Sequence, residues 1–103
     1  MKENKFEKEL KQKFKVANIQ CYSIVGKSGS SSGVSDLELV YKNKVIKLEV
    51  KVKHKLTNNQ KLYLSNFEYA FIGRLTKKGI IITDYHTDIT YNLNEFIQII
   101  KEE

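Results

Sequence analysis

The stretch SDLELVYKNKVIKLEVKVK, residues 35–53, leaves this chain few ways to fold. Apolar and polar residues alternate on both sides of Lys42-Asn43, which is the period of a half-buried β-strand. Two strands joined there by a two-residue turn place Tyr41 opposite Lys44. Counting outward, Leu37 meets Leu48 and Leu39 meets Ile46 on one face, and Glu38 meets Lys47 on the other. A slip of one residue would set apolar side chains against polar ones, so pattern and turn agree on one register. The turn lacks an Asn-Gly pair, which leaves its type open.

The same register sets Asp36 opposite Glu49. Directly opposed residues share a face, and like charges there repel unless a cation lies between them. Lys51, two residues beyond Glu49, points to that face too. Two acids and a lysine converging on one spot suggest a divalent-metal site, Mg²⁺ or Mn²⁺, because hard cations take carboxylate and carbonyl oxygens. The Val50 carbonyl is a candidate further ligand. Lys51 is the candidate catalytic residue, orienting or deprotonating a water or neutralising charge in the transition state. The plain alternative is a solvent-facing strand, Lys47-Glu49-Lys51-Lys53, laced with salt bridges.

Length and charge fit this reading. A chain of 103 residues with 41% hydrophobic content makes one small domain, residues 1–103, with a modest core. The net charge of +6 points to a polyanionic partner, most often nucleic acid, although a lysine-rich proteome would give the same sign. Arg74 is the only arginine, so recognition of backbone and shape is expected rather than base reading. Cys21 is the only cysteine, which excludes an intrachain disulfide and a Cys-based zinc site. It reads as a small hydrophobe in a strand. The N-terminus has no apolar signal core and no run approaches a membrane span, so a soluble, cytoplasmic protein without membrane contact is expected.

Residues 2–16 read as an amphipathic helix, with Phe6, Leu10 and Phe14 on one side. Glu3 and Glu7 lie on that apolar side. Either they border it in the first turns, where the helix dipole favours acids, or one of them reaches the metal site. Residues 19–25 are a short strand candidate. GKSGSSSG, residues 26–33, is a loop that cannot pack and does not have the Walker phosphate-loop spacing. It is an ordinary connection or a flap whose Lys27 meets phosphate. Residues 57–72 read as a second helix, with Thr57 as N-cap and Gly73 as its stop. Residues 79–84 read as a buried strand of the continuous apolar kind. Residues 85–88 read as a turn, 89–93 as a short strand, and 94–100 as a terminal helix capped by Asn92 or Asn94. The fold class is α/β, a mixed β-sheet with flanking helices in the order α-β-β-β-α-β.

Gly33-Val34-Ser35-Asp36, Leu48-Glu49-Val50-Lys51 and Gln60 at the start of a helix together resemble the PD-(D/E)xK nuclease superfamily. Within it the chain is most similar to small stand-alone VRR-NUC nucleases, and next to Holliday-junction resolvases. The match spans roughly residues 3 to 84, with Ser35 where the family usually has proline. The resemblance implies a restriction-endonuclease-like core and a metal-dependent endonuclease acting on DNA, with branched or junction DNA as substrate. It implies that Asp36, Glu49 and the Val50 carbonyl bind metal, that Lys51 is catalytic, and that Gln60 lies close to the site. Gln60 also has capping-box spacing from Thr57. A helix-one glutamate is implied as well: Glu3 fits the VRR-NUC pattern and Glu7 the resolvase pattern. Lys27, Lys53, His54 and Lys55 are candidate DNA contacts, though a lone His such as His54 or His86 is more often neither ligand nor base. A symmetric homodimer is expected for cutting both strands. The compact format resembles phage or mobile-element nucleases. The alternative function is a non-catalytic basic nucleic-acid-binding module.

Overall fold

The computed structural model describes residues 3–24, 37–52 and 55–102, with the side chains of Glu3 and Asn4 outside that description. Asp36, Lys27, Lys53, His54 and the Gly/Ser stretch also lie outside it.

The elements run α1 (Glu3–Val16), β1 (Gln20–Ser23), β2 (Leu37–Tyr41), β3 (Lys44–Lys51), α2 (Asn58–Ser65), β4 (Ala70–Thr76), β5 (Gly79–Asp84), β6 (Thr90–Asn92) and α3 (Leu93–Glu102). Among the described residues six strands form one mixed sheet whose spatial order follows the chain. Neighbours are antiparallel except β3 and β4, which are parallel. A parallel pair needs a crossover, and here α2 lies in it.

The hairpin adopts the register expected from its alternation. Leu37 pairs with Leu48, Glu38 with Lys47, Leu39 with Ile46 and Tyr41 with Lys44. Lys42 has φ of 55° in the turn. That left-handed conformation at the first turn position is the one the mirror-image two-residue hairpin turns require there, here adopted by a residue other than glycine.

One face of the sheet carries the main core. Phe6, Leu10 and Phe14 from α1, and Phe96 and Ile100 from α3, bury against Leu39, Ile46, Leu48, Val50 and Phe71. Full burial of each large apolar side chain contributes about 1.5–3 kcal/mol. Phe96 stacks edge-on against both Phe14 and Phe71. On the opposite face Leu64 of α2 packs with Ala70 and Ile72.

Two expectations are corrected. The helix over 57–72 ends at Ser65, and Ala70–Thr76 is a strand inside the sheet. Ala70, Phe71 and Ile72 are buried on alternating faces. A central strand covered by helices on both sides loses its alternation, and its apolar run then mimics a helix face. Gly73 is therefore no helix stop. It faces the α1 side, where a Cβ would lie 3.5 Å from Leu48 and 3.8 Å from Leu10. The sixth element of the expected order is thus β4, with β5, β6 and α3 following. The strand at 79–84 is present, but only Ile82 in it is fully buried, because its other face is only partly covered.

The last helix begins at Leu93, earlier than expected. Asn92 and Glu95 exchange backbone-to-side-chain hydrogen bonds at 2.8 Å in both directions, a reciprocal cap.

Candidate active site

β3 places Lys47, Glu49 and Lys51 on the face that α2 covers. All three are buried, at 9%, 2% and 7% exposure. The solvent-facing alternative for this strand therefore does not hold. A buried carboxylate is costly unless it is paired and hydrogen-bonded, and the surroundings of Glu49 answer that cost. Gln60 Nε2 donates to Glu49 Oε2 at 2.7 Å. Lys51 Nζ lies 3.7 Å from the same oxygen.

Gln60 reaches Glu49 because its helix starts where it does. Thr57 caps α2, with Gln60 N–H donating to Thr57 Oγ1 at 3.1 Å and Thr57 N–H donating to Gln60 Oε1 at 2.9 Å. The Gln60 amide is thus held at one end by the helix cap while its other end holds the carboxylate. The capping role and the contact with Glu49 coexist in one side chain.

β4 adds a group that the sequence reading left out. Arg74 pairs in register with Lys51, so the two side chains leave the same face of adjacent parallel strands. Reading residues 57–72 as helix put Arg74 beyond its end. The signal for the strand was Lys77-Lys78-Gly79, a turn with Gly79 at φ 114°, between two short apolar runs.

Lys47 is committed elsewhere. Its Nζ pairs with Glu38 Oε2 at 2.9 Å and sits 4.8 Å above the Phe67 ring. Burial by itself lowers the Lys47 pKa, but hydrogen bonding to Glu38, together with Tyr63, outweighs it and the net shift is upward.

The direction of α1 relative to the sheet follows from one contact and two pairings. Lys11 Nζ donates to Ser23 Oγ at 3.0 Å, Ser23 pairs with Leu37, and Leu37 pairs with Leu48. The N-terminal turns of α1, which carry Glu3 and Glu7, therefore extend toward the Glu49 end. Glu7 is part-buried on the α1 layer and close enough to Cys21 to influence its thiol. Lys55 is exposed just before α2. His86 Nε2 lies 2.6 Å from the Phe67 carbonyl, a contact between the turn after β5 and the segment that joins α2 to β4.

A buried carboxylate beside a lysine, with an amide fixing its orientation, suits a hard divalent cation in donor type. Among the described residues no three His, Cys, Asp or Glu side chains gather. Glu49 is thus the one carboxylate of the expected set whose placement at this spot is described. Asp36 directly precedes Leu37, the partner of Leu48.

Sheet and helices define an α/β fold that is shared with a solved Holliday junction resolvase. The solved structure of Archaeoglobus fulgidus Hjc, a Holliday junction resolvase from an archaeal hyperthermophile, superposes with a TM-score of 0.65. The match covers 88% of each chain at 14% sequence identity. No family model matches the chain, and no curated protein matches it in sequence. No helix among the described residues is long and apolar enough to cross a membrane.

Proposed function

We propose that the protein is a metal-dependent endonuclease that hydrolyses phosphodiester bonds in DNA, with a preference for branched or junction substrates. The observation that carries the reading is the buried Glu49 carboxylate, held by Gln60 and flanked by Lys51 on β3. A carboxylate and a lysine two residues apart usually decorate a wet surface. Here they are withdrawn from water and fixed. The resolvase fold of the Hjc structure and the net charge of +6 support the same reading.

In this reading Glu49, Asp36 and the Val50 carbonyl, with Glu3 or Glu7, hold Mg²⁺ or Mn²⁺. The bound ion supplies Lewis-acid stabilisation of the phosphoryl group and an activated water. The side chains of the chain do the rest. Gln60 fixes which carboxylate oxygen of Glu49 faces the site. Lys51 places positive charge where negative charge develops on the scissile phosphate. Arg74, next to Lys51 in register, offers a fork suited to phosphate oxygens. Lys27, Lys53, His54 and Lys55 contact the DNA backbone. A symmetric homodimer with two sites facing opposite strands is the simplest way for so small a chain to cut both.

The test is cleavage of linear, nicked, flap and four-way-junction DNA in Mg²⁺ or Mn²⁺. Cutting that chelation removes, that Lys51→Ala abolishes and that favours branched substrates is expected. Binding without cutting under every metal condition overturns the reading and leaves a non-catalytic DNA-binding module. Glu3→Gln and Glu7→Gln, assayed side by side, identify the helix carboxylate as the one whose loss stops cutting.

A further inference from the structure

Away from Glu49, at the edge of the sheet, α1 and β1 enclose an open groove of about 600 Å³. Among the described strands β1 is at the edge, with only β2 beside it. The groove is lined by Lys8, Lys11 and Lys15 from α1, by Gln20 and Tyr22 from β1, and by Asn18 between them. The three lysines are spaced three and four residues apart, so they form one row along the helix. The row rises about 10 Å from Lys8 to Lys15 at 1.5 Å per residue.

Among the described residues no carboxylate is part of the groove lining. Glu7, four residues before Lys11, flanks the row and is close enough to the groove-lining Cys21 to act on its thiol, so the row's uncompensated ends are Lys8 and Lys15. Lys8 and Lys15 are exposed, and Lys11 is held in place by its bond to Ser23. Tyr22 is 53% exposed, and its hydroxyl donates to Gln20 Oε1 at 3.2 Å, which braces the ring at the groove wall. Cations in a row beside an exposed aromatic ring are the components that track a nucleic-acid backbone without reading sequence.

The groove lies on the α1 side of the sheet, opposite the face on which α2 covers Glu49, so a strand that serves both must pass around the end of the sheet or the β1 edge. The Lys11–Ser23 bond fixes the Lys8 end of the row toward the end of the sheet that carries Glu49. β1 lies two strands from β3, about 10 Å at the usual inter-strand spacing. A DNA strand crossing the end of the sheet at Glu49 can continue along this edge.

We infer that the α1–β1 groove is a second DNA-binding surface, in which Lys8, Lys11 and Lys15 hold the phosphates of one arm of the substrate. The inference rests on the DNA-directed reading above but not on catalysis, so it is tested by binding alone. Fluorescence anisotropy with labelled duplex and four-way-junction DNA in EDTA measures affinity across a salt series. Lys8→Gln/Lys15→Gln is expected to weaken binding at least about fivefold at moderate salt. It should also lower the slope of log K against log salt by about two, since each lost phosphate contact removes about 0.9.

The control is Lys13→Gln/Lys42→Gln, an equal loss of charge at exposed positions outside the groove. It should leave most of the affinity and slope intact. Circular dichroism melts confirm that both variants are folded. Equal effects from the two pairs, or no salt-dependent binding by the wild-type protein, overturn the groove. Wild-type binding that depends on Lys8 and Lys15 but is never followed by cutting supports the groove and overturns the nuclease reading instead.

Discussion

Gln60 joins Glu49 to the start of a helix: its Nε2 donates to the buried carboxylate at 2.7 Å while its Oε1 accepts from the Thr57 backbone. One side chain thus serves a local need and a distant one. Gln60→Ala removes both bonds and is expected to cost about 2–3 kcal/mol, from a lost cap and a buried carboxylate with one donor fewer. Urea denaturation at neutral pH measures this, and a loss below about 0.5 kcal/mol would contradict it.

Gln60→Glu separates the two functions. Glutamate preserves the capping box but sets a second carboxylate against Glu49. The repulsion raises the carboxylate pKa values, so the folded state binds protons more tightly than the unfolded chain. Stability is then lost as pH rises above the ordinary carboxylate range of about 4. The variant should approach wild-type stability near pH 4 and fall below it at pH 7. Equal deficits at both pH values would exclude the charge explanation.

Lys51→Met tests the ion pair without changing the shape of the strand. It leaves the Glu49 charge buried without its neighbour at 3.7 Å. Removing one partner of a buried pair costs on the order of 3 kcal/mol. Lys51→Met combined with Glu49→Gln should recover most of that loss while remaining inactive. Chemical denaturation of the two single variants and the double variant provides the cycle.

Lys47 gives an alkaline signature. Its pKa is raised in the fold, so its contribution is complete below the ordinary lysine value of about 10.4 and is lost as pH rises through the raised folded value. Lys47→Met should therefore be less stable than wild type at neutral pH, and the difference should shrink above about pH 10.5. Thermal melts from pH 8 to 12 follow it. A constant difference would show that packing of the Lys47 methylene stem, rather than the charge, is what matters.

Cys21 has its thiol pushed up to about 11, first by burial and further by Glu7, with Lys11 opposing. Thiolate is the reactive form. Folded protein at pH 8 should react with a disulfide reagent far more slowly than protein in denaturant. A rate matching a free thiol would show that Cys21 is open to solvent.

The hairpin was legible from residues alone because its two faces and its short turn constrain each other. A slip of one residue mismatches polarity, the two-residue turn rules out longer slips, and the Leu37–Leu48 and Leu39–Ile46 pairs follow. The amphipathic spacing of Phe6, Leu10 and Phe14 likewise fixed the buried side of α1. Residues 57–72 were ambiguous for the opposite reason. A strand covered on both faces carries no alternation, and Thr57 supplied a true helix start without marking where the helix ends. That error hid β4, and with it the position of Arg74 beside Lys51.

The sequence by itself determined the hairpin, its register, and the presence of Glu49 and Lys51 on one face. Local periodicity encodes these. Whether that face was wet or dry was decided only by the tertiary structure. Burial depends on what the rest of the chain lays over a strand, and here α2 lies on that face while the β3–β4 parallel pairing adds a neighbouring strand. These non-local contacts turn an ordinary Glu-Val-Lys triplet into a withdrawn carboxylate with Gln60 directed at it.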